Sequence, residues 1–208
     1  MAIAIWGAAL VLYLAFRLWY DGIRKPLTAE EVEEFTHHLE QRAEHGADKQ
    51  DIAVLRKFME EDDGKEFIMV NLVQFNPSPV EHPDTGQGVK AQELLLEYFK
   101  PLMKLFLRRA GHPVLSTRVV GGYMDAWNTP PNPGWHVAGL IRYRSRRDAM
   151  LATMADAEFD HIHKYKAAAL RQTFAIPAQK SMGLYASPRV TLALVLALAA
   201  ALLQLALA

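Results

Sequence analysis

The fold of this chain is decided by residues 66–75, Glu-Phe-Ile-Met-Val-Asn-Leu-Val-Gln-Phe. Apolar side chains occupy both alternating faces of this run, and after Phe67 only Asn71 and Gln74 interrupt them. Because successive side chains of a strand point to opposite faces, the pattern predicts a strand that is buried on both sides. One layer of helices can cover only one of these faces, so the other face needs a further cover.

Helical and extended segments alternate along the rest of the central sequence. Residues 76–88 hold three prolines and two glycines, which predicts a loop. The further predicted elements are a helix at 90–110, strands at 113–123 and 135–144, a short helix at 145–154, a helix at 158–170 and a strand at 173–179. Pro101 predicts a kink or a break in the first of these helices. The order β-α-β-β-α-β is the ferredoxin-like arrangement of an α+β fold.

An acidic helical pair is predicted over residues 27–63, before the main fold. Thr28 and Glu31 have the spacing of a capping box at the start of its first helix. The boundary between the two helices is expected at residues 46–48, where a glycine ends the first helix.

Charge and composition exclude several classes of function. The net charge is zero and does not indicate nucleic acid, and the lack of cysteine excludes disulfides, thiolate catalysis and cysteine-bound metals. Residues 30–63 hold 12 acidic and 4 basic residues, net −8, whereas residues 64–189 hold 10 acidic and 16 basic residues, net +6. An acidic segment packed on a basic body and two separate solvated faces both fit this asymmetry. A basic cluster lies at Arg142, Arg144, Arg146 and Arg147. A solvated face is its default interpretation, and anionic ligands, lipid headgroups or the acidic pair are its candidate partners.

Two apolar segments, residues 2–20 and 190–208, bracket the central sequence. A helix of about 19 residues spans roughly 28 Å, close to the hydrocarbon thickness of a bilayer. The sequence therefore predicts two transmembrane helices with the α+β domain, residues 64–187, between them. A cleaved signal peptide is the alternative for the first segment, but no basic residue precedes it, which favours a retained anchor.

Basic residues flank only the central side of the two apolar segments. They are Arg17, Arg24 and Lys25 at the end of the first segment, and Lys180 and Arg189 before the second. The positive-inside rule then predicts a cytoplasmic central domain, with both termini in the periplasm across a bacterial inner membrane.

Small residues repeat every four positions along both apolar segments. They are Ala4 and Ala8 in the first, and Ala193, Ala197 and Ala201 in the second. Such spacing lets helix backbones approach closely, which favours pairing of the two helices over two separate anchors.

Several short motifs occur between residues 67 and 179. They are Met69-Val70-Asn71-Leu72, Tyr98 with Pro101, Trp135, Arg142-Tyr143-Arg144-Ser145-Arg146, Met154-x-Asp156-x-Glu158-Phe159 and Lys166-Ala167-Ala168-Ala169-Leu170. In these motifs the chain resembles the dimeric α/β-barrel superfamily, and within it a bacterial branch of small domains of unknown function. The resemblance implies a homodimer in which two four-stranded sheets close into a barrel. It does not imply one activity, because the superfamily includes enzymes and proteins without known activity. The chain departs from the pattern at Phe159 and Lys166, where such domains often carry Tyr and Arg.

Asn71, Tyr98, Trp135 and His136 are the candidate ligand-binding residues. Asn71 interrupts an otherwise apolar strand, and a buried amide must form hydrogen bonds, either with a ligand between sheet and helices or with neighbouring backbone. His136 and Tyr98 are placed to line the same cleft. No nucleophile, base and orienting group come together by spacing, so no catalytic residue is assigned.

Two further patterns do not qualify as cofactor or metal sites. Gly86-x-Gly88-x-x-Ala91 lacks the strand that must directly precede a dinucleotide-binding turn. His161 and His163 are two positions apart on a helix, so their rings point about 200° apart and cannot share one ion. We expect no cofactor and no metal site.

Two hypotheses from different classes follow. The first is a non-enzymatic, membrane-anchored accessory or scaffold subunit, in a homodimer or a larger inner-membrane complex, with lipid but no nucleic acid as a partner. The second is a membrane-tethered small-molecule enzyme or ligand-binding protein, isomerase-like or monooxygenase-like, that uses the cleft on an apolar molecule from the bilayer. The lack of a catalytic set favours the first hypothesis and leaves enzymatic activity an open question.

Overall fold

The structure, a computed structural model, describes residues 1–44, 51–153, 157–183 and 187–207. The expected helix boundary at residues 46–48 and the motif residues 154–156 lie outside the described residues. The chain divides into two compact units. The terminal unit comprises Met1–Ile23 and Lys180–Ala208, and the central unit comprises Arg24–Gln179.

The described residues form an α+β structure with seven helices and a four-stranded antiparallel sheet. In chain order the elements are α1 (Ala2–Asp21), α2 (Ala29–Glu44), α3 (Ile52–Glu60), β1 (Phe67–Phe75), β2 (Val80–Glu81), β3 (Gly88–Val89), α4 (Ala91–Arg108), β4 (His112–Arg118), β5 (Val137–Tyr143), α5 (Arg146–Thr153), α6 (Ala157–Ala169), β6 (Leu170–Ala178) and α7 (Pro188–Ala206).

The terminal unit is an antiparallel pair of helices, α1 and α7. Trp6 Nε1, near the start of α1, donates to Gln204 Oε1, near the end of α7, at 2.8 Å. At the opposite end of the pair, Arg189 Nε donates to Asp21 Oδ1 at 2.6 Å. By length and composition both helices are apolar enough to cross a membrane. The predicted small residues of α7, Ala193, Ala197 and Ala201, are half-buried, whereas those of α1, Ala4 and Ala8, are exposed; the buried alanine of the pair is Ala200, outside the predicted repeat.

The sheet of the central unit has the strand order β4-β5-β1-β6. β1 is an inner strand, since it pairs antiparallel with both β5 and β6. Met69, for example, lies opposite Ile141 on one side and Pro177 on the other. An inner strand has its backbone bonded along both edges and its side chains on two faces, as the apolar run of β1 predicted.

One face of the sheet is covered by helices of the same chain; we call it the covered face. Phe67 and Val73 of β1 are buried there among residues of α4 such as Leu102. The rings of Phe67 and Tyr143 stack with their centroids 4.9 Å apart, and Phe106 of α4 meets Tyr143 edge to face at 4.9 Å. These aromatic contacts fix α4 across the inner strands.

The structure corrects several predicted boundaries. A short hairpin, β2–β3, lies within the predicted loop 76–88, and α4 runs through Pro101 as one helix without a break. The flanking residues Tyr98 and Leu102 are buried, so their packing outweighs the one hydrogen bond that proline removes. β4 ends at Arg118 instead of residue 123, and β6 begins at Leu170 instead of residue 173.

The acidic helical pair docks on α5 through two arginines of the basic cluster. Arg147 donates to both carboxylate oxygens of Glu31 at 2.7 Å each. The Arg146 guanidinium lies 3.6 Å from the Asp62 carboxylate and 4.5 Å from the centroid of the Phe58 ring. Of the partners considered for this cluster, the acidic pair is thus the one that Arg146 and Arg147 contact.

The start of α2 has the predicted capping box. The Thr28 amide donates to Glu31 Oε2 at 2.8 Å, and the Glu31 amide donates to Thr28 Oγ1 at 3.2 Å. The Glu31 carboxylate therefore caps its own helix and also binds Arg147.

Candidate functional site

A cavity of about 370 Å³ lies between the covered face of the sheet and helices α3, α4, α5 and α6. Most of its lining is apolar, including Met69, Val73, Leu55, Phe58, Leu95 and Leu102. Its volume falls within the range of roughly 300–1,000 Å³ that is typical of small-molecule sites.

A few polar side chains also line the cavity. The Lys166 ammonium lies 5.8 Å from the centroid of the Tyr98 ring, and the His163 ring meets the same ring edge to face at 6.1 Å. Asn71 Nδ2 donates to the Met69 carbonyl at 3.0 Å, and Thr173 Oγ1 donates to the Leu72 carbonyl at 2.9 Å. Lys166, His163 and Tyr98 thus form one polar group within an otherwise apolar lining.

Burial keeps the two tyrosines of the cavity protonated. It raises the pKa of Tyr98 well above its usual range, because a phenolate loses its solvation there. Burial also raises the pKa of Tyr143, and the nearby Tyr98 adds to that rise. Both phenols can therefore donate a hydrogen bond at neutral pH.

The structure brings two of the four candidate ligand-binding residues to the cavity. Asn71 and Tyr98 line it, whereas Trp135 and His136 do not. Trp135 Nε1 donates to Tyr123 Oη at 3.1 Å, and His136 Nδ1 accepts a hydrogen bond from the Phe75 amide at 3.1 Å. Of the two alternatives for Asn71, the bond to neighbouring backbone is present. A ligand role for these four residues remains a prediction.

Sequence reasoning did not include His163 and Lys166 among the cavity residues. His163 was considered only as a metal ligand, and Lys166 only as a departure from a family pattern. Their i,i+3 spacing places both on one side of α6, which is the signal that could have paired them. The wall supplied by α3 has no comparable signal, because it depends on how the acidic pair docks.

The second face of the sheet, which we call the open face, carries exposed apolar side chains. Val70 of β1 lies opposite Leu140 and Ile176, and Leu72 lies opposite Phe174. Phe174 is 55% exposed and Ile176 53% exposed. Apolar residues from neighbouring strands therefore form one continuous surface. Patches of this kind mark interaction sites on soluble domains.

The loop between β4 and β5 borders the open face. The Trp135 ring packs against Phe174 at a centroid distance of 5.3 Å. Two residues of this loop, Met124 and Trp127, are 98% and 83% exposed. The apolar surface thus extends beyond the sheet itself.

Comparison with known proteins supports the fold alone. No family model and no curated protein matches the chain. A crystal structure of a protein of unknown function from Rhodopseudomonas palustris, a structural genomics target, is similar with a TM-score of 0.51 and 19% identity, over 65% of this chain and 97% of that one. A methylated form of that protein gives a TM-score of 0.54 and 19% identity, over 66% of this chain and 96% of that one. At this identity the similarity carries no function.

Proposed function

We propose that this protein is a membrane-anchored accessory or scaffold subunit whose central unit works as a homodimer through the open face. The observation that carries the proposal is the exposure of Phe174 and Ile176 beside Val70 and Leu72. Exposure of such a surface to water is unfavourable. Removing apolar area from water stabilises the protein by roughly 25 cal/mol for each Å² buried. A second copy of the same face is its simplest cover, because a two-fold axis makes one patch self-complementary.

The strand order supports a ferredoxin-like fold for the central unit. The main strands β1, β4, β5 and β6 follow in the spatial order β4-β5-β1-β6, and α4 and α6 form the two crossovers of a βαββαβ unit. In the dimeric α/β barrel that the motifs resemble, two such sheets meet face to face. A different subunit of a membrane complex is the alternative cover for the open face.

The proposed membrane arrangement places α1 and α7 across a bacterial inner membrane and the central unit in the cytoplasm. It rests on the basic residues on the central side of both helices, Arg24 and Lys25 after α1 and Lys180 before α7. Reporter fusions at each terminus and in the loop at residues 77–88 test it. A loop reporter that is active only in the periplasm would refute this orientation.

Thiol labelling tests the assembly directly. Because the chain has no cysteine, a maleimide reacts only with the single thiol that is introduced. Ile176→Cys on the open face should be protected from a bulky maleimide in membranes, and the protein should run as a dimer in native mass measurement. Lys104→Cys, on an exposed position of α4, should react readily and serves as the matched control. Equal reactivity of both thiols in a monomeric protein would refute the assembly.

A second candidate function is the binding of a small molecule in the cavity, with or without catalysis. The observation that favours it is a cavity of typical pocket volume whose mainly apolar lining includes Lys166, His163 and Tyr98 side by side. A domain held at a bilayer has access to apolar molecules that partition into lipid. Binding and assembly are compatible, since the cavity and the open face lie on opposite sides of the sheet.

A further inference from the structure

We propose that the cavity binds an apolar small molecule with a single anionic group, such as an aromatic carboxylate, and that Lys166 and His163 hold the anionic end. This inference rests on the second candidate function, ligand binding, and not on dimerisation. It specifies the class of ligand from the distribution of charge along the cavity wall.

The apolar part of the ligand is specified by the walls. Side chains of Met69, Val73, Leu95 and Leu102 line the cavity without offering hydrogen bonds. A polar ligand would lose its hydration there without compensation, whereas an apolar ring gains from leaving water. The volume of about 370 Å³ accommodates a small aromatic molecule.

The anionic group is specified by α6. Lys166 and His163 both contact the Tyr98 ring and both line the cavity, so their polar groups lie near one another in its wall. The protonated Tyr98 phenol adds a hydrogen-bond donor in the same region. A half-buried ammonium beside apolar walls attracts an anion more strongly than one fully in water does. Asp51, an acidic residue of the described lining, accepts a hydrogen bond from the Val54 amide at 3.2 Å.

The cavity depends on α3, which lies outside the region of family resemblance. Leu55 and Phe58 of α3 supply one wall, and Arg146 holds this wall through Phe58 and Asp62. Helices α4 and α6 of the βαββαβ unit supply the other walls, so α3 adds to this chain a wall that the four-stranded fold does not itself include.

The test compares two ligands that differ only in charge, 2-naphthoate and 2-naphthamide. The full chain in lipid nanodiscs is titrated with each ligand by calorimetry, with empty nanodiscs as the blank. Naphthoate should bind at least about tenfold more tightly than the amide, the difference expected from one charge-assisted contact. Equal binding of the two ligands would overturn the anionic class while leaving ligand binding in place, and no binding of either would overturn both.

Lysine variants locate the anionic end. Lys166→Gln should weaken naphthoate binding about tenfold and leave amide binding unchanged, and Lys166→Arg should restore most of the loss. Lys164→Gln is the matched control, because Lys164 pairs with Asp84 and does not line the cavity. Equal losses in the Lys164 and Lys166 variants would overturn the assignment. A Val70→Glu protein that is monomeric but still binds naphthoate would separate this site from the proposed assembly.

Discussion

The two faces of the sheet carry similar residues but have different surroundings. Val73 and Val70 belong to the same strand, three positions apart, and therefore point to opposite faces. Val73 is 7% exposed beneath the helices of its own chain, whereas Val70 lies on the open face next to the exposed Ile176. Among the described residues of the central unit, helices bury one face of the sheet, although the sequence makes both faces apolar.

The covered face also differs from the open face because ion pairs hold part of the helical layer above it in place. Arg146 and Arg147 of α5 form ion pairs with the acidic helical pair, whose helix α3 forms one wall of the cavity. Across the strands, Val70 is flanked by Leu140 and Ile176, and Leu72 by Ala138 and Phe174, so this part of the open face is apolar. The Arg142–Glu66 ion pair lies farther along β5, where Arg142 is opposite Ile68. A purely apolar face can bind a partner through burial alone.

The largest effect is expected from a charge on the covered face. Val73→Glu places a carboxylate among buried apolar residues, and an unpaired buried charge costs roughly 3–5 kcal/mol or more. Because domains are stable by only about 5–15 kcal/mol, the central unit should unfold or lose most of its stability. Circular dichroism during thermal unfolding measures this loss. A variant with an unchanged melting temperature would mean that Val73 is not enclosed in solution.

The same charge on the open face should dissociate the protein without unfolding it. The new carboxylate of Val70→Glu is in contact with water in the monomer but would be buried against a second apolar surface in the dimer. The substitution should therefore weaken the free energy of dimerisation and not that of folding. We expect a native circular dichroism spectrum and a monomeric mass in analytical ultracentrifugation. If Val70→Glu unfolds the protein as fully as Val73→Glu does, the two faces are both covered within one chain and the comparison fails.

A smaller loss of stability is expected from removing a contact between α5 and the acidic helical pair. Arg147→Gln removes the two contacts to Glu31 and bonds to the Lys25 and Pro26 carbonyls. Partial exposure limits the loss to about 1–2 kcal/mol, read as a lower urea midpoint. Arg56→Gln, which breaks only exposed pairs on the acidic helices, is the control and should leave the midpoint unchanged. Equal midpoints for both variants would show that Arg147 does not fasten the pair.

The smallest effect on the free energy of unfolding is expected when Glu31 is protonated at low pH. Hydrogen bonds from the Arg147 guanidinium lower the pKa of Glu31 from its usual value near 4.5 to about 2. Because the pKa of Glu31 is lower in the folded state than in the unfolded state, its ionised carboxylate contributes fully to folding stability above pH 4.5. This contribution is lost as the pH falls towards 2. After allowance for screening we expect a loss of about 1 kcal/mol over this window. Glu31→Gln should flatten the pH profile of stability there, and an identical slope in both proteins would contradict the role of the pair.

Much of the fold was predictable because it depends on local patterns. The period-2 pattern of residues 67–75, the capping box at Thr28 and the apolar stripes of α4 each reflect contacts within a few residues. The hairpin β2–β3 was missed, since its strands have only two residues each and leave no periodic pattern. The continuity of α4 through Pro101 was missed because tertiary packing decided it.

The candidate site was predictable only in part. Asn71 and Tyr98 were found because one interrupts an apolar strand and the other falls in a recognisable motif. His163 and Lys166 line the cavity because α6 forms one of its walls, which is a long-range packing outcome. Trp135 and His136 lie outside the cavity because both precede β5, which begins at Val137, and bond instead to Tyr123 and to the Phe75 amide.

The sequence by itself determined that two apolar helices flank a central unit and that β1 is apolar on both faces. These properties follow from composition and period, which are local and need no partner. Only the tertiary structure decided which face of β1 is covered, that Arg146 and Arg147 meet the acidic pair, and that α3 and Lys166 line the same cavity. The physical reason is that each of these outcomes depends on contacts between segments far apart in the chain, where burial and charge pairing act between surfaces that no local pattern specifies.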